Sequence, residues 1–174
     1  MAGADDLSQS IRRLRVVRSF LPDPVSPDDM AAVLEAGRWT GSSKNDQAWA
    51  VVVVDDPERR KELAATGRYA DPIVTAPAAV AVVRLPAGND FDQGRLAQNL
   101  MLAAAGRGLG SCPVTLHDDA AAAKVLGLPS GHRVRWAIAI GHPAGTTRPF
   151  SGGGRKPLSD FAYSDRFGLP WQPN

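Results

Sequence analysis

The sequence predicts a single domain, spanning residues 1–174, in which helices alternate irregularly with short buried strands. The chain of 174 residues is long enough to bury a sizeable core without disulfide bonds. Four apolar runs are each too short for an ordinary helix and are bounded by polar or turn-forming residues, which predicts strands. The segments between them show helical spacing of apolar residues together with start and stop signals.

The N-terminal part predicts two helices. Apolar residues recur at helical spacing at Leu7, Ile11, Leu14 and Val17, and Pro22 and Pro24 end this first, basic helix. Ser26 followed by Pro27 and two aspartates is a strong helix start, and this second helix is expected to end near Trp39.

The remaining elements follow from the same signals. Strands are predicted at residues 50–54, 78–83, 112–116 and 134–140, and helices at residues 57–66, 92–107 and 119–126. The long alanine-rich helix ends at Gly108 and is expected to be central and buried. A glycine hinge at residues 151–154 precedes an aromatic tail, and so many aromatic residues predict that the tail docks on another surface.

Composition excludes several classes of protein. The formal charge is +2 and basic residues are interleaved with acidic ones, so no nucleic-acid footprint is predicted. The start of the chain lacks a signal-peptide pattern and no apolar run is long enough to span a bilayer, which predicts a cytoplasmic protein without a membrane partner. Cys112 is the only cysteine and the three histidines lack ligand spacing, so no metal site is predicted.

Four segments carry groups suited to an anionic, planar cofactor. Arg15 and Arg18 are three residues apart, which would place both guanidinium groups on one helical face, where they could bind a phosphate; a solvated basic face is the alternative. The loop at residues 41–49 offers hydroxyl and amide groups for a ring edge, although loops commonly contain such residues. Residues 108–114 lead from a helix stop into a strand, where glycines would let backbone amides approach a flat ring or simply make a turn. Arg155 and Lys156 follow the hinge and are either ligands or a solubilising tail.

These segments together resemble the nitroreductase family. The stretch Arg15-Val16-Val17-Arg18-Ser19-Phe20 looks like the family's Arg-Arg-Ser-Val-Arg-x-Phe, and residues 42–49 are similar to its Pro-Ser-x-x-Asn-x-Gln-Pro-Trp. Residues 98–104 with the exit at 108–112, and the segments at 126–129, 140–143 and 155–158, follow in the family's order. The resemblance covers residues 11–168.

The resemblance implies an α+β fold, with a mostly antiparallel or mixed central sheet wrapped by helices, in a homodimer with FMN at the interface. FMN would be reduced by NADH or NADPH and would pass electrons to nitroaromatics, quinones or similar acceptors in a ping-pong cycle, with no catalytic side chain required. The tail at residues 151–174 would pack on the partner subunit. The cofactor-binding residues that the resemblance implies are Arg15, Arg18, Ser42, Ser43, Asn45, Gln47, Pro113, Val114, Thr115, Arg155 and Lys156.

Departures from the family pattern leave alternatives open. Leu14 and Val16 replace an arginine and a serine of the presumed phosphate cradle, which is expected to lower FMN affinity, and Gly41 and Ala48 replace prolines in the loop. A flavin-dependent dehydrogenase or oxidase, a flavin-fragmenting enzyme, a non-catalytic flavin-binding protein and a purely structural role are the alternatives. The sequence does not distinguish NADH from NADPH, nor does it identify the acceptor.

Overall fold

A four-stranded antiparallel sheet forms the centre of the fold. The computed structural model describes residues 4–145 and 154–172. The strands run in the spatial order β1-β2-β4-β3, and every neighbouring pair is antiparallel. Their bounds are Trp49–Val54 for β1, Ala78–Arg84 for β2, Gly110–Thr115 for β3 and Arg133–Gly141 for β4. The predicted α+β architecture and all four predicted strands are confirmed.

Helices cover both faces of this sheet. Their bounds are Ala4–Arg13 for α1, Pro27–Arg38 for α2, Pro57–Ala64 for α3, Asp71–Thr75 for α4, Asp90–Gly106 for α5 and Asp119–Val125 for α6, with short 3-10 turns at Ser43–Asn45 and Leu158–Asp160. On one face, α2 and α5 pack on Val80, Val82, Ile138 and Ile140. On the other, α3, α4 and α6 pack on the alternating alanines of β2 and β4. Both faces of the two central strands are therefore buried, which explains their continuous apolar runs.

Local caps fix where the helices begin. The Ser26 side chain accepts a hydrogen bond from the Asp29 backbone N–H at 3.1 Å, and the Asn89 side chain accepts one from the Asp92 N–H at 2.9 Å. Asp56 and Asp118 cap α3 and α6 in the same way. Each cap satisfies a backbone donor that the first helical turn would otherwise leave unpaired.

The segment after α1 corrects one sequence prediction. Helix α1 ends at Arg13, and the chain then runs in extended form along the outer edge of β3, where the Val17 N–H donates to the Ser111 carbonyl at 2.9 Å. Val17 and Phe20 are buried here. A side chain at Gly110 would place its Cβ 2.6 Å from Val17, so this close contact requires glycine. The prediction that Arg15 and Arg18 share a helical face is therefore wrong.

Strand β1 forms the other edge of the sheet and is less buried than the sequence suggested. Val54 is buried, whereas Val53 is exposed and Val51 and Val52 are partly exposed. No strand in the described part of the chain pairs with the outer side of β1. An exposed, apolar edge strand is a surface on which another chain can pair.

The aromatic tail at residues 154–172 folds on itself. Its backbone hydrogen bonds join tail residues to one another, as between the Trp171 N–H and the Ala162 carbonyl at 3.0 Å. Phe161 and Phe167 are exposed, and most of the predicted hinge, at residues 151–153, lies outside the described residues. Within the described ranges, no helix is long and apolar enough to cross a membrane. The cytoplasmic location and the docking of the tail on a partner stay predictions.

Candidate functional site

A cavity of about 550 Å³ opens beside the outer edge of β3. Its walls come from β3, from α4 with the loop before it, and from the extended segment after α1. The lining residues are Arg18, Tyr69, Asp71, Pro72, Thr75, Cys112, Pro113, Val114, Thr115 and His117. We call this the β3 cavity. Its volume lies in the range of about 300–1,000 Å³ typical of small-molecule sites.

The strand edge offers the β3 cavity a backbone donor. Because the Ser111 carbonyl accepts from Val17, residue 111 faces away from β4. Backbone groups alternate along an antiparallel strand, so Pro113 and Thr115 face outward as well. Pro113 has no N–H, which leaves the Thr115 N–H as the outward donor of β3 at the cavity.

Arg18 supplies the positive charge of the β3 cavity. It makes no hydrogen bond or ion pair within residues 4–145 and 154–172, so its guanidinium is free to bind an anion. Burial raises the pKa of the Cys112 thiol, and the nearby Arg18 charge opposes this only in part. Cys112 therefore lines the cavity as a neutral thiol, consistent with an apolar wall and not with a nucleophile.

The loop between α3 and α4 is held against the end of β3. A Cβ at Gly67 would lie 2.7 Å from the Thr115 carbonyl oxygen, so glycine permits this approach. The Arg68 N–H donates to His117 Nδ1 at 3.1 Å. The neutral imidazole must then carry its hydrogen on Nε2. The Tyr69 ring packs edge-on against the His117 ring with centroids 6.5 Å apart, which completes the rim.

The structure brings together some of the predicted site residues. Arg18, Pro113, Val114 and Thr115 all line the β3 cavity. Arg15 does not, because its Nη1 donates to the carbonyls of Arg12 at 2.6 Å and Leu14 at 2.9 Å. The guanidinium group of Arg15 is thus already hydrogen-bonded to backbone carbonyls at the end of α1. Arg155 and Lys156 lie exposed in the tail and are absent from the lining.

The predicted loop residues Ser42, Ser43, Asn45 and Gln47 form a separate structure at the opposite edge of the sheet. The Gln47 N–H donates to Ser42 Oγ at 2.9 Å, and Arg95 holds the loop through the Gly41 carbonyl at 2.6 Å. Asn45 and Gln47 adopt left-handed backbone conformations, with φ of 58° and 46°. Non-glycine residues seldom adopt this conformation without a constraint, and it often accompanies functional loops.

The loop does not line the β3 cavity of its own chain. The loop leads into β1, and the cavity lies beside β3 at the far end of the strand order. Three strand spacings of about 4.8 Å separate the two edges by roughly 14 Å. Serine, asparagine and glutamine side chains do not reach across that distance.

The comparisons with known proteins agree with this fold. The sequence profile of the nitroreductase family matches residues 11–84 and 81–142. The chain belongs to the nitroreductase family. It is 30% identical over 155 residues to the NADPH-flavin oxidoreductase of Vibrio harveyi, a match that covers 78% of this chain and 65% of that relative. The chain therefore spans about two-thirds of that relative's length.

Solved structures of nitroreductase-family proteins share the fold. The NADPH:FMN oxidoreductase from Vibrio harveyi complexed with NAD+ superposes with a TM-score of 0.81 at 23% identity, covering 96% of this chain and 79% of that one. The FMN-dependent nitroreductase from Clostridium difficile superposes with a TM-score of 0.75 at 24% identity, covering 82% of this chain and 91% of that one. At these identities the likeness shows the fold alone.

Sequence reasoning missed part of the β3 cavity. Tyr69, Asp71, Thr75 and His117 line it, yet they fall in a short loop, in a five-residue helix and after a strand, where no local pattern singles them out. The Arg68 to His117 contact spans 49 positions along the chain. Only the folded arrangement shows that these residues belong to the site.

Proposed function

We propose that this chain is an FMN-dependent oxidoreductase that uses NADH or NADPH to reduce nitroaromatics, quinones or similar electron-poor acceptors. Membership of the nitroreductase family supports this proposal. The observation that carries it is the β3 cavity, in which the unpaired Arg18 and the outward Thr115 N–H lie on one edge of the sheet. The chain is similar to an NADPH-flavin oxidoreductase and to an FMN-dependent nitroreductase, which supports the same chemistry.

The residues of the β3 cavity fit the parts of FMN. An arginine without an intramolecular partner suits the phosphate, because guanidinium groups form strong charge-assisted hydrogen bonds with phosphate oxygens. The hydroxyl groups of Tyr69, Thr75 and Thr115 suit the ribityl chain. Pro113 and Val114 supply an apolar surface for a flat ring. Bound FMN would supply the redox chemistry, accepting a hydride from NAD(P)H and then reducing the acceptor.

Each residue then has a binding or positioning role. Arg18 would hold the phosphate end of FMN, and the Thr115 N–H would be available to donate to the ring edge, where a fixed dipole favours added negative charge. Pro113 has no backbone N–H, so it offers no second donor on the same edge of β3. No side chain is required as a nucleophile, which agrees with the raised pKa of the Cys112 thiol.

The homodimer is part of the same proposal. Ser42, Ser43, Asn45 and Gln47 would reach the β3 cavity of a second copy, since none of them lines the cavity of its own chain. Arg155 and Lys156 would do so through the aromatic tail, in which Phe161 and Phe167 are exposed. Trp39 is 74% exposed and Phe91 is also exposed, which supports an apolar surface between copies.

A visible absorption spectrum of the purified protein with FMN tests the central proposal. We expect flavin bands that bleach when NADH or NADPH is added without oxygen, and that return when a quinone follows. Bound FMN that does not bleach would instead favour a flavin-binding protein without turnover. Absence of FMN binding would show that the loss of the family's arginine and serine at Leu14 and Val16 has disabled the site, and the proposal would fail.

Mixing two defective variants tests the shared site. Arg18→Gln damages the cavity of its own chain, and Asn45→Ala damages the loop. If the loop acts on the partner's cavity, each mixed dimer keeps one intact site of two. Because random exchange in an equal mixture makes about half of the dimers mixed, FMN binding should recover toward about a quarter of the native amount. If the loop acted on its own cavity, each chain would remain damaged and mixing would recover nothing. Unmixed variants at the same total concentration are the control.

A further inference from the structure

A second, smaller cavity of about 120 Å³ lies at the end of the sheet and shares no residue with the β3 cavity. Side chains from two strands and from the starts of two helices converge on it. The lining residues are Arg84, Asp90, Gln93, Asp119, Arg133 and Arg135. We call it the arginine cavity. None of the segments that resemble the family's cofactor residues contributes to it.

A β-bulge directs one of these arginines. Val82 of β2 pairs with Trp136, and the next residue, Val83, pairs with Val134, so Arg135 has no partner on β2. The Arg135 carbonyl instead accepts from the Leu116 N–H at 2.8 Å. Bulges change the direction of a side chain and often occur beside functional sites. Here the bulge brings Arg135 to the arginine cavity.

The charges lining the arginine cavity leave an excess of one positive charge. Arg84 Nη1 lies 3.7 Å from Asp90 Oδ1, and Arg135 Nη1 lies 3.8 Å from Asp119 Oδ1. Both separations exceed the 2.7–2.9 Å or so of a charge-assisted hydrogen bond. Arg133 has no ion pair among residues 4–145 and 154–172. The guanidinium groups therefore keep hydrogen-bonding capacity for an anion.

Two buried atoms at the arginine cavity have no hydrogen-bond partner. One of them is a donor and the other is an acceptor. Gln93 is only 2% exposed, and its Nε2 has no acceptor. Asp119 Oδ1 is buried and accepts no hydrogen bond, because Arg135 Nη1 at 3.8 Å is too distant to donate one. Buried polar atoms are nearly always paired, so each unpaired atom calls for an explanation. A single ligand would satisfy both only if it accepts a hydrogen bond from Gln93 and donates one to Asp119.

We infer that the arginine cavity binds a small tetrahedral oxyanion that keeps an acidic hydrogen, namely hydrogen phosphate. Its unprotonated oxygens accept from Gln93 Nε2 and the arginines, and its P–OH group donates to Asp119 Oδ1. Sulfate has the same shape but no hydrogen at neutral pH, so it would leave Asp119 facing another negative oxygen. The inference does not depend on the proposed oxidoreductase function.

Equilibrium dialysis with radiolabelled inorganic phosphate tests this site in the protein with and without saturating FMN, which is the proposed ligand of the β3 cavity. We expect saturable binding of one phosphate per chain. Phosphate should bind at least about tenfold tighter than sulfate, since one hydrogen bond to a charged group is lost with sulfate. Equal affinity for the two anions, or no binding of either, would overturn the inference.

Variants of the arginine cavity make the test specific. Asp119→Asn replaces the unpaired carboxylate with an amide, which can donate a hydrogen bond to sulfate as well as to phosphate. The preference for phosphate over sulfate should therefore fall to about twofold or less. Gln93→Met keeps the side-chain volume but removes the amide, and Arg135→Gln removes a charge; each should weaken phosphate binding about tenfold. Lys61→Gln, a change in an exposed surface pair, is the control and should leave binding unchanged.

The Arg18→Gln variant separates the two cavities. Phosphate binding that persists in this variant, and in the presence of FMN, supports the arginine cavity whether or not the chain proves to be an oxidoreductase. Phosphate binding that disappears in Arg18→Gln, or on saturation with FMN, would assign the anion to the β3 cavity and overturn the inference. Thermal melts of all variants would show that binding losses do not reflect unfolding.

Discussion

Replacing Arg18 with glutamine should weaken FMN binding more than the same change at Arg15. The two arginines lie only three positions apart in the chain, and the sequence predicts that both bind the FMN phosphate. In the fold, Arg18 lines the β3 cavity and has no partner in the described part of the chain. Arg15 already donates to carbonyl oxygens at 2.6 and 2.9 Å. The structure therefore predicts different outcomes for identical substitutions.

The expected magnitude follows from the exposure of Arg18. A hydrogen bond to a charged group contributes about 1.5–3 kcal/mol. Arg18 is exposed, and water screens its charge, so the lower half of that range applies. A loss of about 1.5–2 kcal/mol raises the dissociation constant for FMN roughly tenfold to thirtyfold. For Arg15→Gln we expect about threefold or less.

Quenching of FMN fluorescence on titration with protein measures both constants. Lys61→Gln lowers the net charge by the same amount at a remote exposed position and corrects for long-range electrostatics. Thermal melts confirm that the variants remain folded. If Arg15→Gln weakened FMN binding as much as Arg18→Gln, the geometric distinction between the two arginines would be refuted.

Three further substitutions test the fold. Gly110→Ala should destabilise the protein by about 1–3 kcal/mol, because the new Cβ would lie 2.6 Å from Val17; an unchanged melting temperature would contradict the close approach. Leu100→Ala removes a fully buried side chain and should cost about 2–5 kcal/mol in chemical denaturation. Hydrogen bonds from Arg38 and then Trp39 lower the Glu35 pKa from its ordinary value of 4.5 to about 2. The ionised Glu35 therefore contributes to stability above pH 4.5, and this contribution is lost as the pH falls toward 2. Arg38→Gln should return the Glu35 pKa, followed by NMR, toward its ordinary value.

The sheet and most helices could be predicted because their signals are local. The valine runs of β1 and β2 and the cap at Ser26 each act within a few residues, and the structure has these elements within a few residues of the predicted ends. The five-residue helix α4 was missed because it is too short to show periodicity.

The conformation of the segment after α1 could not be predicted because it depends on a distant strand. Leu14 and Val17 continue the helical spacing of Leu7 and Ile11, so the sequence alone favours a longer helix. In the fold, the hydrogen bond from Val17 to Ser111 and the glycine at position 110 favour an extended path instead. Tertiary contacts commonly override such local preferences.

The residues of the β3 cavity and the arginine cavity were only partly predictable for the same reason. Arg18 and Thr115 lie in segments with recognisable patterns, whereas His117 joins the site through a contact with the distant Arg68 backbone. In the sequence, Gln93 is an ordinary polar residue of a long predicted helix. Its importance arises only because burial leaves its amide without a partner.

The separation of the two sheet edges leads to a last prediction about concentration. The β3 cavity holds Arg18 at one edge of the sheet, and the polar loop leads into β1 at the other, so the proposed site would take its loop from a second chain. FMN affinity should therefore fall when the protein is diluted until its dimer dissociates, because each free chain keeps Arg18 but loses the partner's loop and tail. Sedimentation velocity and FMN fluorescence on the same dilution series measure both changes. FMN affinity that stays constant while the dimer dissociates would show that one chain suffices.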